Sequence, residues 1–333
     1  MNSLHFNTLV LAGGGSGGGV SIAGALNYLN ENNLLDNITR YCGTSVGSLI
    51  IALIVIGYDP LELAQHVVKN FKSSIFLSIP FIPYNIYSKH GLFSNDHLIK
   101  YMGDLYEAKG VSRNITFKEL YVKTNKTIVI TGTSLNTRDT FYFSHNTFPD
   151  MRVLEAVKIS TSIPFFFTST KLKISNIEHI MVDGAVLNNF PLYYFDLCDQ
   201  LGKFPKNGNE LITLCNSTLK FEAKYDSIIA IDIISDDVDE NGIFFGFNKV
   251  NNFFDFLNSF LGTIMNKISS SNYVNNLEGR NEYKNNVIQI NIKGYLKAID
   301  LYIDEQSASE LQSSGYTSAK KTIEILKNSQ DKK

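Results

Sequence analysis

Gly43-Thr44-Ser45-Val46-Gly47 is the stretch on which the reading of this chain turns. It lies between a β-branched and aromatic run, Ile38-Thr39-Arg40-Tyr41-Cys42, and the apolar run Leu49 to Ile56. A serine between glycines, with a strand before it and a helix after it, fits a nucleophile elbow, a strained turn that pushes the hydroxyl clear of the backbone. At positions 43 and 47 a β-carbon would crowd the turn or hold the helix off the strand. The helix that follows would direct its first amides, and its positive end, at the point where an oxyanion forms. Geometry and electrostatics therefore agree on acyl transfer. The pentapeptide alone equally fits a serine capping an ordinary helix, so the rest of the chain has to decide.

Upstream, Phe6 to Ala12 is a compact apolar run that ends in Gly13-Gly14-Gly15-Ser16-Gly17-Gly18-Gly19, after which Val20 to Leu29 resumes at helical spacing. This pattern predicts strand, glycine loop, helix. Such a loop presents bare backbone N–H groups to a phosphate, a dinucleotide or an oxyanion. A P-loop would need Gly-Lys-Ser/Thr at its end, which Gly18-Gly19-Val20 does not supply. Gly13, Gly15 and Gly18 do satisfy the spacing of a dinucleotide fingerprint, whose ribose-binding acid should stand at the end of the next strand. The nearby acids, Glu31 and Asp36, both precede that strand, and what ends it is the serine elbow. An oxyanion loop facing the elbow uses both features at once.

Downstream, Leu49 to Ile56 is apolar all round and predicts a buried helix, and Asp59-Pro60 starts another in which His66 is a packing or surface residue. Ser73 to Tyr87 mixes prolines, aromatics and isoleucines, which suits an apolar loop over a pocket or at a lipid surface and equally suits a buried connector. Gly91 to Asp96 leads into a capped helix through Tyr106. Strands are expected at Thr127 to Thr133, Asp139 to Ser144, Ile177 to Val182, Ser227 to Ser235 and Val287 to Ile292. Helices are expected at Asp150 to Lys158 and Glu305 to Lys327. Ser160 to Phe167 reads as a wall of an apolar pocket, Leu201 to Lys224 as a polar insertion, and Val250 to Ile268 as an amphipathic helix with Phe253, Phe260 and Ile264 on its apolar face. The strand at Ile177 delivers Asp183-Gly184-Ala185, an acid in a glycine turn, followed by Asn188-Asn189-Phe190-Pro191.

A serine hydroxyl needs a neighbour to take its proton. The six histidines are His5, His66, His90, His97, His145 and His179. None lies late in the chain, where a Ser, acid, His order would require one. With that role vacant, Asp183 acting directly on Ser45 is the economical alternative, provided burial lifts its pKa from the usual value of about 4.

Composition narrows the partners. The chain has 333 residues, 44% hydrophobic and 19% charged, with a net charge of -2 and no Lys/Arg cluster, which argues against nucleic acid. Three scattered cysteines, Cys42, Cys198 and Cys215, form neither a disulfide framework nor a metal knuckle and suit a reducing compartment. Neither a signal peptide nor a membrane span is read, so the expectation is a soluble intracellular protein in transient contact with membrane surfaces. No linker is sharp enough to split residues 1–333 into separate domains.

Taken together and in order, these motifs resemble the patatin-like phospholipase family from about Thr8 to Tyr194. Gly13 to Gly18 is similar to its oxyanion loop, Gly43 to Gly47 to its elbow, Asp183-Gly184-Ala185 to its Asp-Gly turn, and Ser160 to Pro164 and Asn188 to Pro191 to further segments of the family. The resemblance implies a three-layer α/β/α sandwich with a mostly parallel central sheet, residues 195–333 completing the motif-bearing core. It also implies a Ser45–Asp183 dyad without histidine, and an oxyanion hole from Gly13, Gly14 and Gly15. Gly43, Gly47, Gly18 and Gly184 would be supporting positions. No metal or cofactor is implied, and the substrate would be a phospholipid or related lipid ester. One departure stands out: Gly17 occupies a position where the family usually carries Arg or Lys. A catalytically silent lipid-binding protein on the same fold, and more remotely a dinucleotide enzyme, are the alternatives.

Overall fold

The computed structural model describes residues 4–63, 65, 66, 82–218, 227–234, 286–292 and 303–330, with single positions between 250 and 263. Its centre is a mixed, mostly parallel sheet. The strands are β1 (Thr8–Leu11), β2 (Arg40–Gly43), β4 (Thr127–Ser134), β5 (Asp139–Phe143), β7 (Thr170–Ile174), β8 (Ile177–Asp183), β9 (Ile228–Ile234) and β10 (Val287–Asn291). Their order is β10-β9-β1-β2-β4-β8-β7, with β5 folded back on β4. The run from β10 to β4 is parallel, with Leu9 opposite Tyr41 and Ile229. β5 and β8 pair with β4 antiparallel, and β7 pairs with β8 antiparallel. A separate two-stranded sheet joins β3 (Gly91–Phe93) to β6 (Phe165–Phe167).

Both faces of the sheet are covered, which is why its strands read as continuous apolar runs instead of alternating ones. Leu9, Leu11, Tyr41, Ile128, Ile130, Ile229, Ile231, Ile288 and Ile290 point into the larger core. That core is shared with α1 (Gly15–Glu31), α2 (Val46–Val55), α4 (Asp96–Ala108), α5 (Phe117–Thr124), α6 (Val153–Ser160) and α9 (Glu305–Gln330). The intervening residues Val10, Cys42, Val129, Ile228 and Ala230 point the other way, onto Tyr194, Phe195 and Cys198 of α7 (Tyr194–Leu201) and Leu211 of α8 (Gly208–Thr218). This is the α/β/α layering expected from the sequence. Among the described residues, no helix is long and apolar enough to cross a membrane.

Several boundaries differ from the expectation. Helix α1 begins at Gly15, inside the glycine run, despite the roughly 1 kcal/mol that each helical glycine costs. Close packing offsets this: a β-carbon at Gly14 or Gly18 would meet Ile233 of β9 at 3.0 or 3.3 Å. Helix α6 begins at Val153 and not at Asp150, because the Pro149 and Met151 carbonyls accept the amides of Lys118 and Phe117. The segment ending at Tyr87 closes in a helix, α3 (Ile82–Lys89), and its earlier part lies outside the described residues. The polar insertion contains α8, whose start is capped by Asn207 Oδ1 accepting the Glu210 amide at 2.9 Å. Phe166 and Phe167 are buried core residues packed with Phe93 and with each other. Most of the amphipathic stretch at 250–268 lies outside the described residues.

Candidate active site

The site forms where three turns meet at the ends of β1, β2 and β8. Gly43 ends β2, Ser45 caps α2, and a β-carbon at Gly43 would lie 2.8 Å from the Gly47 backbone. At Gly47 it would lie 2.6 Å from the carbonyl oxygens of both Leu11 and Ala12. The glycines at these positions thus let β2, α2 and the end of β1 close on one another. Ser45 itself has φ 52° and ψ -125°, a strained backbone for a non-glycine residue and the one an elbow demands. It is buried, with 6% of its surface exposed.

Asp183, the last residue of β8, is completely buried. Ser45 Oγ donates to Asp183 Oδ2 at 2.7 Å across 138 positions of sequence. The other carboxylate oxygen, Oδ1, accepts the Ala185 amide at 2.8 Å, which fixes the carboxylate plane. Burial pushes the Asp183 pKa up to about 7, against the lowering effect of the Ala185 and Ser45 hydrogen bonds. A carboxylate in water would be too weak a base for a hydroxyl; this one is held near neutrality. Four of the six histidines have partners elsewhere: His66 with Tyr101, His90 with Ser169, His179 with Ser134, and His145 stacked on Tyr121.

The three turns are stitched together. Thr44 Oγ1 lies 2.7 Å from Thr131 Oγ1 and donates to the Asn188 carbonyl at 3.2 Å, while Gly184 packs directly on Thr131. Asn189 brackets the glycine loop: its Oδ1 accepts the Gly13 amide at 3.1 Å and its Nδ2 donates to the Gly13 carbonyl at 3.3 Å. Gly13 lies beside Ser45, where an added β-carbon would come 2.9 Å from Ser45 Cβ, and its amide donates to Asn189. Gly14 caps α1 and Gly15 opens it with φ 61°, a left-handed conformation that suits glycine. Among the described residues their amides donate to no protein group. Gly18 follows one turn into the helix, its amide donating to the Gly14 carbonyl at 2.9 Å. The N-termini of α1 and α2 thus converge on Ser45, an arrangement that favours negative charge there.

A family model described as patatin-like phospholipase matches residues 9–196. The chain belongs to the patatin-like phospholipase family. The matched residues hold the loop, the elbow and the aspartate. Probable lipid hydrolase 463L of Invertebrate iridescent virus 6 is 33% identical over 193 residues, 56% of this chain and 62% of that protein. Protein R571 of Acanthamoeba polyphaga mimivirus is 26% identical over 325 residues, 97% of this chain and 96% of that one. Among solved structures, VipD from Legionella pneumophila shares the fold, with a TM-score of 0.51 and 14% identity over 97% of this chain and 67% of VipD.

Two further parts of this patatin-like site carried no assigned role in the sequence. Ser160, at the end of α6, accepts the Ser45 amide on its Oγ at 2.9 Å and so braces the strained turn. Ser162 accepts the Asp183 amide on its carbonyl at 2.9 Å. Both lie in the Ser160 to Pro164 segment that resembles the family, the only signal that could have found them. Gly17, where the family usually carries a cation, is buried in the first turn of α1, and its carbonyl accepts Ser21 Oγ at 3.1 Å.

Proposed function

We propose that this chain is a serine-dependent lipid acyl hydrolase of the phospholipase A or lysophospholipase type, working through a Ser45–Asp183 dyad. The observation that carries the reading is the 2.7 Å contact between Ser45 Oγ and a buried carboxylate, set under two helix N-termini. As Ser45 Oγ attacks the ester carbonyl carbon, its proton passes to Asp183 Oδ2. The amides of Gly14 and Gly15 receive the resulting oxyanion; removing one such donor typically costs about 3 kcal/mol in barrier height. Collapse expels the alcohol, which takes its proton from Asp183. Water, deprotonated by the same carboxylate, then cleaves the acyl-Ser45 ester and releases the fatty acid. Each half-reaction returns Asp183 to the state in which it began, so one carboxylate suffices as both base and acid.

The test is fatty-acid release from long-chain esters and phospholipids, followed by mass spectrometry for the acid and the residual lyso-lipid. Ser45→Ala and Asp183→Asn should each lose at least about 10³-fold in kcat. Equal turnover in wild type and both variants would end the assignment. The competing reading, a lipid-binding protein without turnover, is motivated by Gly17; it predicts binding of lipid vesicles with no fatty acid released by any of the three.

A further inference from the structure

Over its described side chains, Tyr84 to Lys89, helix α3 is largely exposed. From Tyr84 to Lys89 five of six residues face solvent. Tyr84 is 61% exposed, Ile86 51% and Tyr87 91%. The buried member is Asn85, whose Nδ2 donates to the Leu92 carbonyl at 3.3 Å and pins the helix to β3. Beside it stands Phe165, the first residue of β6, 51% exposed at φ 65°. A bulky side chain rarely occupies that left-handed region, and such outliers collect at functional surfaces. Phe165 lies opposite Gly91 in the β3–β6 pair, and the Ser169 amide donates to the Lys89 carbonyl at 2.9 Å. Helix α3 and the strand bearing Phe165 therefore form one platform.

The chemistry of the platform is that of a lipid–water boundary. Tyrosine carries an apolar body and a polar tip, and aromatic residues beside a cation favour the headgroup level of a bilayer. Lys89 Nζ sits 5.9 Å from the Tyr84 ring centroid, with exposed His90 next to it. A deformable bilayer can meet these exposed side chains without offering a matching groove. The platform is also tied to the dyad. Asn95, two residues past β3, donates through Nδ2 to Ser162 Oγ at 3.2 Å, and the Ser162 carbonyl accepts the Asp183 amide. Two residues separate Ser162 from Phe165.

We propose that this platform seats the protein on an anionic phospholipid bilayer, with Tyr84, Ile86, Tyr87 and Phe165 entering the headgroup–acyl boundary and Lys89 and His90 against lipid phosphates. The proposal rests on the lipid-hydrolase reading, because a dyad acting on phospholipid must be brought to a surface instead of waiting for a dissolved molecule. It is tested by co-sedimentation with vesicles of phosphatidylcholine mixed with phosphatidylserine, with thermal melts verifying that each variant is folded. Tyr87→Ser and Phe165→Asn should each weaken partition about tenfold, since each withdraws an aromatic side chain from the apolar layer. Lys89→Ala should weaken it about fivefold and flatten its salt dependence. Val122→Ser, at an exposed apolar position on α5, and Ser45→Ala should bind as the wild type does. Wild-type partition by the Tyr87→Ser and Phe165→Asn double variant, or no wild-type partition at all, would overturn the docking proposal. Phospholipid hydrolysis by Ser45→Ala at the wild-type rate would overturn the dyad instead and leave the vesicle result standing.

Discussion

Asp183 is subject to two opposed demands. To take a proton from Ser45 it must be ionised, whereas complete burial favours the neutral acid and places its pKa at about 7. Hydrolysis under the proposed mechanism should therefore rise with pH through about 7 and level off above it, which a pH–rate profile on a neutral ester would check. The same shift acts on stability. In the unfolded chain the carboxyl titrates near 3.8, so between that value and about 7 the native state holds a proton that the unfolded state has lost. Stability is then fully present below the lower value and falls as pH rises through the upper one. Asp232, buried in β9 and likewise pushed up to about 7 by burial, adds to the same trend. Asp183→Asn removes its share of the cost: calorimetry should find the variant melting a few degrees above wild type at about pH 8 and together with it near about pH 4. The pairing of Ser45 with Asp183 was legible because each closes a strand in a glycine turn and no histidine stands late enough to intervene. The capture of the Gly13 amide by Asn189 was not, since it depends on how two loops 176 positions apart meet.

At the scale of elements, the site depends on how closely α2 can approach the end of β1. Gly47→Ala would drive a methyl group into the Leu11 and Ala12 carbonyls, both backbone atoms that cannot swing aside. The expected result is a loss of about 1–3 kcal/mol in stability together with a collapse of activity, measured by thermal denaturation and ester hydrolysis. Wild-type values for both would show that the strand–helix approach is slack. Seven strands of the central sheet and α2 were legible from apolar, β-branched runs and from a helix apolar on every side, whereas β3, β6 and β7 were not read as strands. The start of α1 was not: local propensity sets glycine against helix, and only contact with Ile233 reverses the preference. Helix α8 did leave a mark in the sequence, Asn207 three residues before Glu210, the spacing of a capped helix start, hidden within an otherwise polar stretch. Ser160 left little of its own, because its bond to the Ser45 amide spans 115 positions and follows from the packing of α6 on α2.

Across the whole molecule, the family match ends at residue 196, yet the sheet does not. β9 lies beside β1 at the centre, Ile233 underlies Gly14 and Gly18, and α9 packs against α1, with Gly24 on the Gln312 backbone and Gly315 on the Ser21 backbone. That the C-terminal third supplies two strands was legible from their apolar runs. Their insertion next to the first strand was not, because periodicity carries no information about strand order. A chain truncated after residue 200 should accordingly show no cooperative thermal transition by circular dichroism and no hydrolysis; a sharp transition would mean that the family core folds alone. The central claim, that Ser45 is a nucleophile activated by Asp183 without an imidazole, is tested most directly by labelling the protein with a long-chain fluorophosphonate and mapping the adduct by peptide mass spectrometry. The account predicts a single adduct on Ser45, absent in Ser45→Ala and formed far more slowly in Asp183→Asn. An adduct on another residue, or undiminished labelling of Ser45 in Asp183→Asn, would contradict it.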